Sequence, residues 1–419
     1  MSFAFEPDES FAAALDAADP LARFRARFHL PLGSDGSPLV YLAGNSLGLQ
    51  PLGVGGAVQR ELDDWARLGV DAHFAGRAPW YSYHELVRDS LATLVGARPH
   101  EVVAMNSLTV NLHLMLVTFY RPTPARHKIL IEDRAFPSDR YAVGSQLGYH
   151  GHDPQHGLIV ARPRAGEATL RTEDLLELIE RRAGEIALVL LGGVNYYTGQ
   201  WFDLARVAAA AREQGCIVGF DLAHAVGNVP LELHDWRADF AVWCSYKYLN
   251  AGPGAVAGCF IHETHARRVD LPRFAGWWGN DPEQRFFEPE FAPRPTADGW
   301  QLSNPPILAL APLRVALAAF AEAGMAALRL KSERLTAYLE WWIERAGSER
   351  FELLTPREPA ARGCQLSLRV RERARDAVEA LRQAGIVADY RQPDVVRLAP
   401  VPLYNTFREV WRVGRLLAA

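Results

Sequence analysis

The sequence predicts an α/β protein in which a large domain built on a mostly parallel sheet is followed by a smaller α+β domain. Three observations lead there. Between about residues 124 and 261 short, continuous apolar runs alternate with helical runs, the pattern of a parallel sheet covered on both faces. After Asn304-Pro305-Pro306 the texture changes to a long helical stretch followed by isolated strands. The length of 419 residues also exceeds the size at which a single core usually stops growing.

Taken in order, residues 1–40 form an N-terminal helical segment that packs on either domain as far as the sequence tells. The large domain spans 41–306 and the small one 307–419. Within the large domain KILIED, GLIVAR, IALVLLGG, CIVGFD, FAVWCS and AVAGCFIH read as strands, and TEDLLELIERRAG and LARVAAAAREQG as helices. The longest irregular stretch is Pro-rich and runs from Asp281 to Pro306; long loops inside compact domains tend to be functional. Beyond it, one long helical stretch leads to the strands CQLSLRV and VVRLAPV, with the helix RDAVEALRQAG between them ended by Gly385.

Charge excludes some partners. Lys and Arg number 45 against 49 Asp and Glu, a net charge of -4, and both signs are spread through the chain. This leaves no basic face for nucleic acid or an anionic membrane. The first residues, MSFAFEPDES, are acidic with no basic n-region and do not read as a signal peptide. No segment approaches the ~18 uninterrupted apolar residues of a membrane span. Cys216, Cys244, Cys259 and Cys364 stand alone, without CxxC spacing, which argues against a zinc site or a disulfide framework and for a reducing cytoplasm. No metal is expected.

The informative block is GFDLAHAVGNVPLELHDWRADFAVWCSYKYLNAGPG, from Gly219 to Gly254. One buried-strand run ends at Asp221, and a second, from Phe240 to Cys244, ends in Ser245-Tyr246-Lys247. An acid and a lysine thus sit at strand ends, where open α/β sheets bind ligands. A pyridoxal enzyme needs that pair: an amine to bond the cofactor aldehyde, and an anion to keep the pyridine nitrogen protonated so that the ring accepts electrons. Gly252-Pro253-Gly254 allows a tight turn beside it. Asn106 to Asn111 precedes the helical run LHLMLVTF, and polar residues at a helix start make either a phosphate seat or an ordinary N-cap. Phe136-Pro137-Ser138-Asp139 follows the strand KILIED, placing an aromatic ring at another strand end.

GFDLAHAVGN, LHDW, WCSYKYLNAGPG, GWWG and SNPPIL resemble the kynureninase family, as do YLAGNSLGLQP, FPSDRYA, NYYTGQWFD and VVRLAPVPLYN. The similarity covers nearly the whole chain. It implies a fold-type-I pyridoxal-phosphate enzyme of the aminotransferase class V-like group, with pyridoxal 5'-phosphate on Lys247. By the same resemblance Leu108 and Thr109 bind the cofactor phosphate together with Tyr246; Phe136, Asp139 and His224 contact the ring; and Asp221 holds its nitrogen. Trp277 and Asn304 reach the cofactor from the neighbouring subunit, which implies a homodimer with shared sites, whereas Trp278 is packing. Arg397 holds the substrate α-carboxylate, and Ser46 joins the substrate set. One departure is Gly192, where the family pattern leads one to expect a hydroxyl residue that helps hold the cofactor.

The implied reaction is hydrolytic cleavage of the Cβ–Cγ bond of L-kynurenine or 3-hydroxy-L-kynurenine to L-alanine and the corresponding anthranilate. The catalytic residues are Lys247, Tyr246 and Asp221. His73, Ser303 and Asn304 resemble the trio of members that favour the hydroxylated substrate, because a site built to bond a hydroxyl rejects the analogue lacking it. That preference points toward tryptophan breakdown on a route to NAD. Two other readings share the fold. A cysteine desulfurase or selenocysteine lyase needs a reactive thiol, for which Cys364 is the only candidate, although it opens a buried strand where thiols are inert. The other is a non-catalytic pyridoxal-binding protein.

Overall fold

The computed structural model describes residues 4–287, 290–371 and 373–419; the first three residues of the N-terminal segment lie outside these. A seven-stranded sheet forms the centre of the larger part. Its strands in chain order are β1 (Val102–Ala104), β2 (Lys128–Glu132), β3 (Leu158–Ala161), β4 (Ile186–Gly192), β5 (Ile217–Asp221), β6 (Phe240–Trp243) and β7 (Gly258–Ile261). In space they run β1-β7-β6-β5-β4-β2-β3. From β6 through β3 all neighbours are parallel, while β7 is antiparallel to both β6 and β1. Parallel strands are buried on both faces, which is why β2 and β4 are rich in Ile, Leu and Val, β5 reads Ile-Val-Gly-Phe before Asp221, and none of the three has an exposed residue. Of these seven strands, only β1 is absent from the sequence expectation; three residues are too few for a periodic signal.

A four-stranded antiparallel sheet follows, with β8 (Phe351–Leu353), β9 (Leu366–Val370), β10 (Asp389–Arg391) and β11 (Val395–Leu398) in the spatial order β10-β11-β9-β8. The mostly parallel and the smaller antiparallel sheet together make the α/β class that the sequence predicts.

The stretch read as one long helix is two, α1 (Ile307–Ala323) and α2 (Met325–Ala346), bent by 82°. Gly324 sits between them at φ 74°, a backbone that a side chain would strain. The bend lets the two helices serve different cores. Leu310, Leu313 and Leu317 of α1 pack into the core of the large sheet, whereas Leu335, Leu339 and Trp342 of α2 pack with the small sheet. No single helix among the described residues is long and apolar enough to cross a membrane.

The N-terminal segment divides its loyalty. Helix Glu9–Ala17 buries Ala12 with the small-sheet core, and its Asp16 accepts the Phe407 and Arg408 N–H groups at the start of the C-terminal helix Phe407–Ala418. Leu21, Phe24 and Phe28 instead join the large core. Val40–Tyr41 then pairs in parallel with Ile386–Val387, tying the segment back to the small part.

Candidate active site

The parallel strands end on one edge of the large sheet, and the polar residues that close them meet there. β5 ends in Asp221 and β2 in Glu132, while the turn after β6 carries Tyr246 and Lys247. These surround a pocket of about 510 Å³, counted to its open mouth, lined also by Leu108, Thr109, Phe136, Ser138, Asp139, Gly192, Val194, Tyr196, Ala223 and His224. The structure therefore gathers Leu108, Thr109, Phe136, Asp139, Asp221, His224, Tyr246 and Lys247 around one cavity.

Lys247 Nζ lies 3.0 Å from His224 Nε2. Burial, with Lys247, Arg397 and Arg391 nearby, holds His224 well below the ordinary imidazole value, so the neutral ring accepts a hydrogen bond from the lysine. Lys247 Nζ also lies 5.7 Å from the Phe136 ring centroid, with Tyr196 meeting that ring edge-on at 5.2 Å.

Asp221 Oδ1 accepts the Ala223 N–H at 2.8 Å. Burial raises its pKa, opposed by that N–H and by Lys247. Asp139 is raised well above the carboxylate range by burial and by the neighbouring Asp221 charge, so in this pair the proton resides on Asp139 and the charge on Asp221. Tyr246 is raised by burial and by Cys244, so its phenol stays protonated.

Helix Leu108–Phe119 opens on the pocket, and Ser107 at its N-cap makes no side-chain capping bond. The first N–H groups of the helix thus face the cavity without the usual side-chain acceptor, as an anion seat requires. Thr109 Oγ1 lies 2.9 Å from Ser138 Oγ across the same mouth.

Glu132 was missed by the sequence reading, although the signal was the one that found Asp221: a carboxylate closing a buried strand. Both its carboxylate oxygens accept the Gly192 N–H, at 3.2 and 3.3 Å. A Cβ on residue 192 would stand 2.9 Å from Glu132 Oε1. The space a hydroxyl residue would use is thus occupied by the glutamate, which accounts for the glycine.

The remaining expected residues lie outside this pocket wall. Arg397 is fully buried on β11, where Nη2 contacts Asp389 Oδ2 at 2.5 Å and Nη1 donates to the Tyr196 carbonyl at 2.7 Å. It is one residue removed from the cavity, through Tyr196. Ser46 is half-buried, its N–H bonded to the Ala43 carbonyl. Ser303 and Asn304 are exposed in the loop before α1. That loop lies against the one carrying Trp277, because a Cβ on Gly276 would come within 2.2 Å of Leu302 Cα. Trp278 is buried, packed on Tyr81 and under the Arg285 guanidinium, while Trp277 is 43% exposed.

His73 bonds the Val70 carbonyl through Nδ1 and begins a chain of touching rings: His73, Phe74, Tyr81, Trp278, Trp277 and Phe286. His73 and Trp277 therefore share one aromatic ridge. Phe74, Phe286 and Phe287 on or beside it are 73%, 70% and 83% exposed.

The donor set fits pyridoxal phosphate. An amine, a buried anion and an uncapped helix start face one cavity, and buried Asp139 Oδ1 and His224 Nδ1 have no hydrogen-bond partner in the protein. Buried polar atoms left without partners mark the place of a polar ligand.

Comparison with known proteins agrees. Residues 328–417 match the family described as Kynureninase C-terminal domain. The protein named kynureninase from Myxococcus xanthus is 58% identical over 99% of this chain and 98% of its own. That of Koribacter versatilis is 57% identical over 99% and 98%. Among solved structures, the Escherichia coli cysteine desulfurase CsdA superposes with a TM-score of 0.75 at 18% identity, over 99% of this chain and 98% of that one. A C-DES variant with glycine linked to its pyridoxal phosphate gives 0.75 at 18% identity, over 94% and 98%. At that identity the two structures establish the fold alone.

Proposed function

The chain belongs to the kynureninase family, and from that premise we propose that it hydrolyses the Cβ–Cγ bond of L-kynurenine and 3-hydroxy-L-kynurenine, preferring the latter. It is a pyridoxal-phosphate-dependent hydrolase of carbon–carbon bonds. The observation that carries the reading is the convergence of Lys247, Asp221, His224 and Tyr246 on one cavity beside an open helix N-terminus.

Bound pyridoxal phosphate supplies an electron sink for negative charge developing on the substrate. Lys247 is the amine through which it is held, and Leu108, Thr109 and Tyr246 seat the phosphate. Asp221 would keep a proton on the ring nitrogen, a role for a buried carboxylate held in reach of Lys247. Phe136 would cover the ring. Lys247 Nζ, as a free amine, would take the α-proton and return it to that carbon before L-alanine leaves; neutral His224 at 3.0 Å accepts a hydrogen bond from that nitrogen and steadies it. Water adds to the γ-carbonyl, the Cβ–Cγ bond breaks to leave the anthranilate acid, and the electron pair stays on Cβ. Tyr246 Oη is the proton source for that carbon, consistent with a phenol held in its protonated form by burial.

Arg397 is read as the α-carboxylate group and Ser46 as part of the substrate set. Trp277, Asn304, Ser303 and His73 complete the site from a second copy of the chain. The exposed aromatic ridge supports that dimer, because large contiguous apolar surface on a lone protomer marks an interface. The enzyme is read as cytoplasmic, which its four free, buried thiols support.

Cysteine desulfurization is disfavoured by chemistry as well as ancestry: Cys364 is fully buried and its thiol is pushed up to about 12, which denies it the thiolate such a reaction requires. The test is kcat/KM for L-kynurenine and 3-hydroxy-L-kynurenine side by side on the cofactor-loaded enzyme. A higher value for the hydroxylated substrate is expected. Preference for plain kynurenine would defeat the argument from His73, Ser303 and Asn304, and no product from either would defeat the reaction. Lys247→Ala is expected to abolish turnover and the visible absorbance of lysine-bound cofactor together; retention of both would overturn the role of Lys247.

A further inference from the structure

We infer that Asp389 is a positioning residue for substrate recognition: it pins Arg397 by one Nη and leaves the buried Nε donor unpartnered, for the substrate carboxylate. The inference rests on the reading of Arg397 given above and names the part of the molecule that makes that arginine competent.

The geometry starts from strand register. β10 and β11 are antiparallel and place Asp389 directly opposite Arg397, so the ion pair is a cross-strand neighbour built into the sheet. Its two side chains are 8% and 1% exposed. Asp389 Oδ2 takes Arg397 Nη2 at 2.5 Å, and the Tyr196 carbonyl takes Nη1 at 2.7 Å. Two anchors on different nitrogens fix the plane of a rigid guanidinium. Nε has no partner although it is buried. A carboxylate matched to a guanidinium normally takes two of its N–H groups; Asp389 takes one, and the unmet donor remains for a ligand.

A second guanidinium explains why the pin does not cancel the charge it positions. Asp389 Oδ2 also accepts Arg391 Nη2 at 3.1 Å, and Arg391 Nε lies 3.0 Å from Oδ1. Two guanidiniums share one carboxylate, and the cluster keeps one net positive charge beside the cavity. An isolated Asp389–Arg397 pair would be neutral and would attract a carboxylate weakly. Arg391 is the counter-charge that lets Asp389 orient Arg397 without quenching it. The cluster is joined to the cavity through Tyr196, whose carbonyl anchors Arg397 and which lines the cavity.

Positioning and simple counter-ion roles predict opposite signs. If Asp389 only competed with substrate for Arg397, removing its charge would tighten binding. As a positioning residue its loss lets the fork turn, and binding weakens. Asp389→Asn in the cofactor-loaded enzyme is expected to raise KM for L-kynurenine at least about tenfold, on the order of one lost charge-assisted hydrogen bond, with kcat and cofactor absorbance little changed. Inhibition by the decarboxylated amine of kynurenine, which has no carboxylate to seat, is expected to be unaltered. Arg391→Ala, which leaves the Asp389–Arg397 pair neutral, is expected to raise KM in the same direction.

A KM at or below that of the parent enzyme in Asp389→Asn would overturn the inference, as would equal weakening of the carboxylated and decarboxylated ligands. Parent turnover in the same assay tests the reaction itself. Titration of the holoenzyme with L-alanine, followed by cofactor absorbance, compares the variants without turnover. The role of Asp389 is therefore decided even if the reading of the reaction fails.

Discussion

Replacing Glu132 by Gln is expected to make the cofactor-free protein more heat-stable at pH 8 than at pH 5, relative to the parent. Burial and the Asp221 charge push the Glu132 carboxyl up to about 7 from an ordinary value of 4.5. With the folded value raised, the unfolded chain ionises first as pH rises. Folding therefore loses stability above the unfolded value and continues to lose it until the folded carboxyl ionises near 7. From these two values the loss is about 1 kcal/mol at pH 5 and about 3 kcal/mol at pH 8. A glutamine never ionises, yet its side-chain oxygen can still accept the Gly192 N–H. The difference between variant and parent should therefore grow by about 2 to 3 kcal/mol between the two pH values. At ~2.1 cal/mol/K per residue the whole chain has an unfolding entropy of roughly 0.9 kcal/mol/K, so the extra gain in Tm is about 3 °C. The assay is thermal unfolding of both proteins at both pH values, in which titrating groups remote from Glu132 cancel in the double difference. An equal Tm difference at pH 5 and pH 8, or a larger gain at pH 5, would refute the assignment of a raised carboxyl at the floor of the cavity.

Two further outcomes are expected. Gly192→Ser places its Cβ 2.9 Å from Glu132 Oε1, the movable end of a side chain, so the carboxylate shifts and weakens its bond to the residue 192 N–H; Tm should fall by only about 1 °C, for a loss of about 1 kcal/mol, and cofactor retention on dialysis should persist. Phe286→Ser combined with Phe287→Ser removes two rings that are 70% and 83% exposed; light scattering should then report the monomer mass, accompanied by a fall in kcat, and an unchanged dimer would remove the ridge from the interface.

Much of this site was legible because parallel strands announce their own ends. An apolar run that stops at Asp221, and another that stops before Lys247, locate both groups at the edge where ligands bind. Glu132 ends its strand in the same manner and was open to the same inference. Asp389 was not: its partner is fixed by the cross-strand register of β10 and β11, and short strands in a small sheet leave that register unstated in sequence. The break at Gly324 lay in plain sight inside AEAGMAAL, but whether a glycine is tolerated in a helix or ends it is decided by what the flanking turns pack against. Here both flanking turns pack on the large core, Phe320 on one side and Leu328 on the other, and only the later turns from Leu335 reach the small one. The division of the N-terminal segment between two cores is likewise a tertiary outcome with no local signature.

The Tyr196 carbonyl accepts hydrogen bonds from both Arg397 and Gln365, so the seam between the two sheets closes on a main-chain oxygen. Amino-acid replacement cannot delete such an acceptor. The phenol ring at 196, which forms one wall beside Phe136, is free to be exchanged over generations for rings of other shape while the seam remains joined. The lineage can thus retune the shape of its cavity at this residue without first inventing a new way to hold Arg397.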